Sequence, residues 1–405
     1  CFSRVVTSNP GTYFDLKVPK MTDDLEQKLY FEKETKHVMN FGSINYLGFG
    51  DQNDFCTSSV IEALKQYGPA TCSPSSDLGT TVYHQELEKT LANFLGTEDA
   101  ICYGMGWLVN VTAIPALIGK GDLIILDAFS HNSITTGAKA SGAVIRIFRH
   151  NDMSHLERVL RREIINGQPR THRQWAHIIV AVEAIYSRDG DIVRLAELVQ
   201  LRRKYRFSIW LDEAHSIGSL GSSGRGVCEH CGVNPKEIDF LMGSFAKSFG
   251  AAGGYIAANK NIISYLRFNS YAKVYSDSMP APIAQQVISA IKFISENPEG
   301  QKRLKSLHEN SVWFRHELIK RDFNVTGEDG SPIVSIVIPP FSLLSTVSRE
   351  CLKNNLAVAI LSLPQVDILE GRIRFCLNSQ HTRAELLNAI NTIDQICKDL
   401  PVKVH

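Results

Sequence analysis

A lysine, an aspartate and a histidine placed at the ends of apolar runs are the residues whose types and spacing could do chemistry here. Trp210-Leu-Asp212-Glu213-Ala214-His215 closes the apolar run Phe207–Leu211. Lys247 lies 35 positions beyond Asp212 (247 − 212), inside Gly243-Ser244-Phe-Ala-Lys247-Ser248-Phe-Gly250. A lysine amine forms a Schiff base with an aldehyde. An aspartate pairs with a pyridine nitrogen and keeps it protonated, which makes the ring an electron sink. A phosphate is held by a helix N-terminus and hydroxyl donors. Gly104-Met-Gly106-Trp107, between a strand and a helix, supplies the first, and Ser244 supplies the second. These are the requirements of pyridoxal 5'-phosphate. Asp-Glu-Ala-His is also an ATPase motif of helicases, but that chemistry needs a Gly-x-x-x-x-Gly-Lys-Ser/Thr loop, and the sequence contains none. Cys228-Glu-His-Cys231 lacks a second ligand pair at similar spacing, so no metal site is expected.

The elements that must position these residues follow from hydrophobic periodicity. Short apolar runs at Ala100–Tyr103, Leu123–Leu126, Val144–Phe148, Ile178–Val182, Phe207–Leu211, Ile238–Met242 and Gly254–Ala257 read as strands. Glu86–Phe94, Trp107–Leu117, Ser133–Ala140, Met153–Ile165 and Leu195–Tyr205 read as helices. Such alternation predicts βαβ units, hence an α/β fold with a mostly parallel sheet covered on both faces. Ligands in such sheets bind at the carboxyl ends of the strands, which is where Asp212, His215 and Lys247 fall. Beyond about residue 283 the texture changes to long helices (Ala284–Ile294, Gln301–Arg321, Arg383–Asp399) around isolated strands at Ser335–Ile338 and Ile373–Leu377. The expected division is an N-terminal segment 1–59, a large cofactor-binding domain 60–296 and a small α+β domain 297–405. The first fifty residues read as polar and irregular. Asn9-Pro10-Gly11 marks a turn, and a short strand and a glycine turn follow within Val38–Phe49.

Lys plus Arg number 43 against 42 Asp plus Glu, a net charge of +1. That balance argues against a nucleic-acid binder and gives no polybasic face for anionic lipid. With 44% apolar residues the chain is not disordered, and it contains no apolar run of membrane-spanning length. Nine scattered cysteines favour reduced thiols over a disulfide framework. The first residue is Cys1, not Met, so a targeting or membrane segment is expected upstream.

The stretch Ser244-Phe-Ala-Lys247-Ser-Phe-Gly-Ala-Ala-Gly-Gly-Tyr255 resembles the lysine motif of the α-oxoamine synthases, fold-type I pyridoxal phosphate enzymes that condense an amino acid with an acyl-CoA and lose CO2. The resemblance is carried further by Asn45-Tyr-Leu-Gly48, Gly106-Trp-Leu-Val-Asn110, Ser130-His131-Asn-Ser133, His150-Asn-Asp152, Tyr186-Ser187-Arg-Asp-Gly190, Gly224-Arg-Gly226 and Arg374-Phe-Cys-Leu. It implies that Lys247 is the Schiff-base lysine and moves the α-proton. Asp212 would pair with the pyridine nitrogen, His215 would donate to the phenolic oxygen, and Ser187 would reach the ring. His131 would stack on the ring face and touch the substrate carboxylate. The Gly106 and Trp107 backbone, with Ser244, would hold the phosphate. Arg374, with Asn45, would anchor the carboxylate, as a guanidinium fork can.

Gly167-Gln-Pro-Arg-Thr171, Arg173-Gln-Trp175 and Gly190-Asp-Ile-Val-Arg194 resemble the branch of the family that condenses L-serine with palmitoyl-CoA to 3-oxosphinganine. That branch implies a heterodimer with a lysine-free paralogue and residence at the endoplasmic-reticulum membrane, anchored by a segment ahead of Cys1, with the catalytic body facing the cytosol. A glycine-using member of the family, or a weakly active scaffold subunit, remains the alternative. Two departures bear on this. Tyr275-Ser276-Asp277-Ser278 carries an acid where relatives use hydroxyls towards the phosphate across the dimer, and Ser73-Pro-Ser75 lacks the Arg of relatives.

Overall fold

Seven short apolar strands build the sheet that positions the candidate residues. They are β1 (Asp99–Tyr103), β2 (Leu123–Asp127), β3 (Val144–Phe148), β4 (Ile178–Glu183), β5 (Ser208–Asp212), β6 (Phe240–Ser244) and β7 (Gly254–Ala258). The structure is a computed structural model that describes residues 5–8, 11–21, 29–31, 36–51, 54–339, 341–363, 365–367 and 369–400. The strand order is β1-β7-β6-β5-β4-β2-β3. β7 runs antiparallel to both its neighbours, and the other pairings are parallel. The α/β fold with a mostly parallel sheet is therefore present. The inner strands β2, β6 and β7 are buried at every residue, as a sheet covered on both faces requires. Helices Gly106–Leu117 and Asn132–Ser141 join Ile101, Ile124, Trp210, Met242 and Ile256 in one apolar core.

β6 begins two residues later than its apolar run suggests. Asn234 caps a 3-10 turn at Pro235–Glu237 by accepting from Lys236 N–H, and this turn delays the strand until Phe240. Ser244 consequently ends the strand instead of following it.

The chain divides into two compact units, one of residues 53–187 and 191–304, the other of residues 1–52, 188–190 and 305–405. The N-terminal segment and the C-terminal part thus fold together. The strand expected within Val38–Phe49 is present as Lys36–Asn40; among the described residues of the stretch read as irregular, Tyr13–Lys17 pairs antiparallel with it, and Lys36–Asn40 also pairs with Leu356–Ala357 from the far end of the chain. Asn9 and Pro10 of the expected turn lie outside the described residues. A second sheet in this unit joins Ile333–Val337, Arg372–Cys376 and Ala359–Leu361 over a trio of rings, Phe41, Phe314 and Phe375, with centroids 5.2–5.8 Å apart. The sequence reading also missed helices Asp54–Tyr67, Lys260–Asn269 and Phe341–Lys353.

Within this second unit the inserted residues 188–190 are tied down by charge. Asp189 Oδ1 lies 2.8 Å from Arg372 Nε, and Oδ2 lies 3.1 Å from Arg188 Nε. Asp189 and Arg372 are both buried. Removing one partner of such a pair leaves an uncompensated buried charge, at a cost of about 3–5 kcal/mol. Asp189→Ala is expected to lower the free energy of urea unfolding by about that amount. The joint change Asp189→Leu with Arg372→Met should cost markedly less, because no orphan charge remains.

Candidate active site

β5 ends on Asp212, in register with Glu183 of β4 and Met242 of β6. Side chains alternate along extended chain, so the adjacent acids Asp212 and Glu213 part company. Asp212 Oδ2 accepts the Asn110 amide N–H at 2.8 Å, and Oδ1 accepts from Ala214 N–H at 2.9 Å. Glu213 turns towards helix Val227–His230. Burial pushes its carboxyl up to about 8, although Ser216, Cys228 and the Val227 and Cys228 N–H groups all donate to it. Gly226, at φ +86°, must be glycine, because a Cβ there would collide with Glu213 Oε2. His215 is buried in the turn that follows.

Lys247 sits half-buried in the turn after β6. The turn is pinned on both sides: Phe245 and Phe249 are fully buried, and Ser248 donates to Ile217 O at 2.6 Å. A turn fixed by two buried rings holds the Lys247 backbone in one place.

His131 caps helix Asn132–Ser141, its Nδ1 accepting from Ser133 N–H at 3.2 Å. Its own backbone N–H donates to Glu183 Oε1. Burial holds the imidazole below its ordinary range; the Asp212 charge opposes this and the Lys247 charge adds to it. His131, Asp212 and Lys247 therefore share one electrostatic neighbourhood. Burial, reinforced by Asp212, also pushes the Glu183 carboxyl well above the usual range.

Helix Gly106–Leu117 starts after Met105, which makes no side-chain cap bond. A Cβ on Gly106 would stand 2.9 Å from Ser244 Oγ and 3.1 Å from Gly253 O. The missing side chain lets the helix N-terminus approach the Ser244 hydroxyl, and Met105 and Trp107 at its mouth are exposed. Ser244 Oγ accepts from Ala246 N–H at 3.2 Å and reaches Gly253 O only at 3.4 Å. Backbone donors and a hydroxyl together form a cradle for an anion. Ser187 lies half-buried in the turn between Ile185 and Ile192, whose backbones bridge.

Arg374 and Asn45 belong to the other unit. Arg374 is partly buried between the buried Ile373 and Phe375. Asn45 Oδ1 accepts from Gly50 N–H at 3.1 Å, while its Nδ2 is buried without a hydrogen-bond partner in the chain. Of the two departures, Ser75 faces a cation after all: Lys273 Nζ donates to Ser75 Oγ at 3.1 Å and to Cys102 O at 2.9 Å. Asp277 is exposed, and its backbone bridges Pro74.

The family model for aminotransferase class I and II matches residues 36–393. The chain belongs to this family. It is 46% identical over 399 residues to long chain base biosynthesis protein 2a of Oryza sativa subsp. japonica, covering 98% of this chain and 82% of that protein. It is 40% identical over 408 residues to serine palmitoyltransferase 2 of Dictyostelium discoideum, covering 100% of this chain and 83% of that one. Among solved structures, the serine palmitoyltransferase of S. paucimobilis with a bound PLP–myriocin aldimine superposes with a TM-score of 0.86 at 26% identity, covering 98% of this chain and 93% of that chain. Within the family the chain groups with the serine palmitoyltransferases, and its cofactor is pyridoxal phosphate. The donors present fit that group. The Gly106–Ser244 cradle suits a phosphate, Asp212 keeps lone pairs for a ring nitrogen, and Lys247 is an amine for the aldehyde.

Three buried polar residues of the site were not picked out from sequence: Asn110, Ser133 and Glu183. Asn110 and Ser133 lie inside motifs that were noted, and an amide in the apolar run Gly106–Leu117 was the available signal. A fourth group, His150, stands between two acids, with Nδ1 2.8 Å from Asp127 Oδ1 and Nε2 3.0 Å from Asp191 Oδ2. Phe129 stacks on its ring at 4.2 Å. Burial alone would lower its pKa, but the hydrogen bonds and charges of Asp127 and Asp191 outweigh it and raise the group to about 9. A raised folded-state pKa contributes stability that is complete below the unfolded value of about 6.5 and is lost as pH rises through about 9. Unfolding free energy should therefore fall between those pH values, and His150→Gln should flatten that decline in urea titrations.

Proposed function

We propose that this chain is the lysine-bearing subunit of a serine palmitoyltransferase, which condenses L-serine with palmitoyl-CoA, with loss of CO2 and CoA, to 3-oxosphinganine. This is the first step of sphingolipid long-chain-base synthesis. The observation that carries the reading is Lys247 on a turn pinned by Phe245 and Phe249, in the same charged neighbourhood as Asp212 and His131. The kinship with serine palmitoyltransferases supplies the substrate class.

Pyridoxal phosphate, when bound, supplies the electron sink for the carbanion that attacks the thioester. The chain supplies the rest. Ser244 and the Gly106 and Trp107 N–H groups hold the phosphate. Asp212 would hold the ring nitrogen, and His215 and Ser187 would meet the ring's oxygen side. Lys247 takes the α-proton of serine and returns one at the end. His131 would cover the ring face and orient the carboxylate that is lost as CO2. The family resemblance, and not an observed contact, assigns the anchoring of that carboxylate to Arg374 and Asn45.

The partner we propose is a lysine-free paralogue that completes a heterodimer. The location we propose is the endoplasmic-reticulum membrane, through a segment outside these 405 residues, with the catalytic body on the cytosolic side. A long-chain base partitions into lipid, which supports release of the product at a bilayer. Among the described residues no helix is long and apolar enough to cross a membrane. A full-length gene product found wholly in the soluble fraction would overturn this location.

Co-expressed with its partner, the chain should release CoA from palmitoyl-CoA with L-serine and much more slowly with glycine. Lys247→Ala should abolish the visible absorbance of the loaded protein and reduce turnover about a thousandfold or more. Equal turnover with glycine would reassign the substrate, and an unchanged Lys247→Ala protein would refute the mechanism.

A further inference from the structure

Asn110 is fully buried in the middle of helix Gly106–Leu117, and the proposed function gives it no role. Its amide can face only one way. The Trp210 indole Nε1–H, which can only donate, lies 3.0 Å from Asn110 Oδ1. Both hydrogens of Nδ2 are therefore directed elsewhere, one to Asp212 Oδ2 at 2.8 Å and one to Ser133 Oγ at 2.8 Å. The Ser133 oxygen accepts that bond and lies 2.8 Å from His131 Nδ1, to which its own hydrogen goes because that nitrogen already accepts from the Ser133 backbone. Ser133 N–H points at the same nitrogen from 3.2 Å. With two donors on Nδ1, the proton of a neutral imidazole must sit on Nε2.

We propose that Asn110 is a positioning residue: with Ser133 it joins Asp212 to His131 in one directed hydrogen-bond chain, and so fixes His131 as the Nε2–H tautomer. The amide is the side chain suited to the task. It gives Asp212 a hydrogen bond without giving it a titratable proton, and it passes direction on to Ser133. An acid at 110 would set a third carboxyl beside Asp212 and Glu183. An apolar residue would leave the Trp210 N–H and the Ser133 oxygen without their buried partner. Glu183 holds the same histidine from behind through its backbone N–H. The charged and titratable groups around the imidazole are thus Asp212 and Glu183 at the ends of β5 and β4, and Lys247 after β6. Protonating Nδ1 would turn it against two donors, so the chain of bonds keeps the ring neutral and its Nε2–H a donor.

This deepens the proposed function, on which it rests for its effect on catalysis; the tautomer itself can be read independently. The test uses loaded protein labelled with 15N-histidine, with His131→Asn to assign the signals. Wild type should show His131 as a single Nε2–H tautomer at neutral pH. Ser133→Ala removes the hydroxyl donor. It should mix the tautomers and raise the protonation midpoint of His131 by about half a unit to one unit. Asn110→Ala should do the same, and lower kcat with L-serine about 10- to 100-fold with a much smaller change in KM. Asn110→Gln, whose amide cannot reach both partners, should not restore kcat. A His131 signal with the same tautomer and midpoint in Ser133→Ala as in wild type would overturn the proposal, and this variant decides it should Asn110→Ala fail to fold. A wild type inactive with L-serine but carrying the single tautomer would sink the functional reading and leave the positioning role intact.

Discussion

Two carboxyls, Asp212 and Glu183, end neighbouring parallel strands in direct register, and a buried edge of sheet does not hold two such charges side by side. The remainder of the site depends on how this conflict is resolved. Asp212 receives the Asn110 amide and the Ala214 N–H, and Glu183 receives the His131 N–H. Burial and the charge of Asp212 push the Glu183 carboxyl above the usual range. Asp212 keeps lone pairs free at the sheet edge, and Glu183 holds the histidine backbone in place. The parallel sheet creates the conflict by bringing both strand ends to one edge, and that same edge is where ligands collect in open α/β sheets.

Asp212 and Glu213 show how much one peptide step decides. Asp212 meets an amide, which leaves its carboxylate available to a ligand. Glu213 meets the start of helix Val227–His230, and burial keeps its proton on up to about pH 8. Glu213 therefore ties the turn after β5 to the start of helix Val227–His230. The rigidity of the Lys247 turn has a comparable origin. Gly218, at φ +71°, lets the Ser248 side chain pack against its backbone, and Phe245 and Phe249 fill the core on either side. Amine, carboxylate and anion cradle are all carried on backbone that buried side chains have immobilised, which is what preorganised catalysis requires.

The sheet and its carboxyl edge were legible because each strand is a short continuous apolar run between polar turns, a signal that survives without tertiary information. Asp212 and Lys247 could be placed for the same reason. What could not be read was set by distant partners. Tyr13–Lys17, in a stretch read as irregular, becomes a strand through pairing with Lys36–Asn40, so its neighbours in sequence carry little of the signal. Asn110 sits among apolar residues that fully account for its helix. Its meaning appears only when Trp210 and Ser133 close around it. The register of β6 was misjudged by two residues because a local side-chain cap at Asn234, not hydrophobicity, decides where the strand begins.

At Ser75, where resemblance expects an arginine, a cation is brought from elsewhere in the chain. Resemblance placed an arginine in that segment, yet the structure brings a lysine to it from Lys273, a residue of a different element. An ammonium so deeply buried needs partners. It has the Cys102 carbonyl, the Ser75 hydroxyl and the charge of Glu88 nearby, and the Tyr103 ring lies 5.8 Å beneath it. Burial lowers its pKa, and the Glu88 charge opposes that shift. Serine at 75 is then not simply a lost contact. A longer side chain there would compete with Lys273 for the same space, and an arginine would set two cations against each other. Within this chain Ser75 and Lys273 form a matched pair.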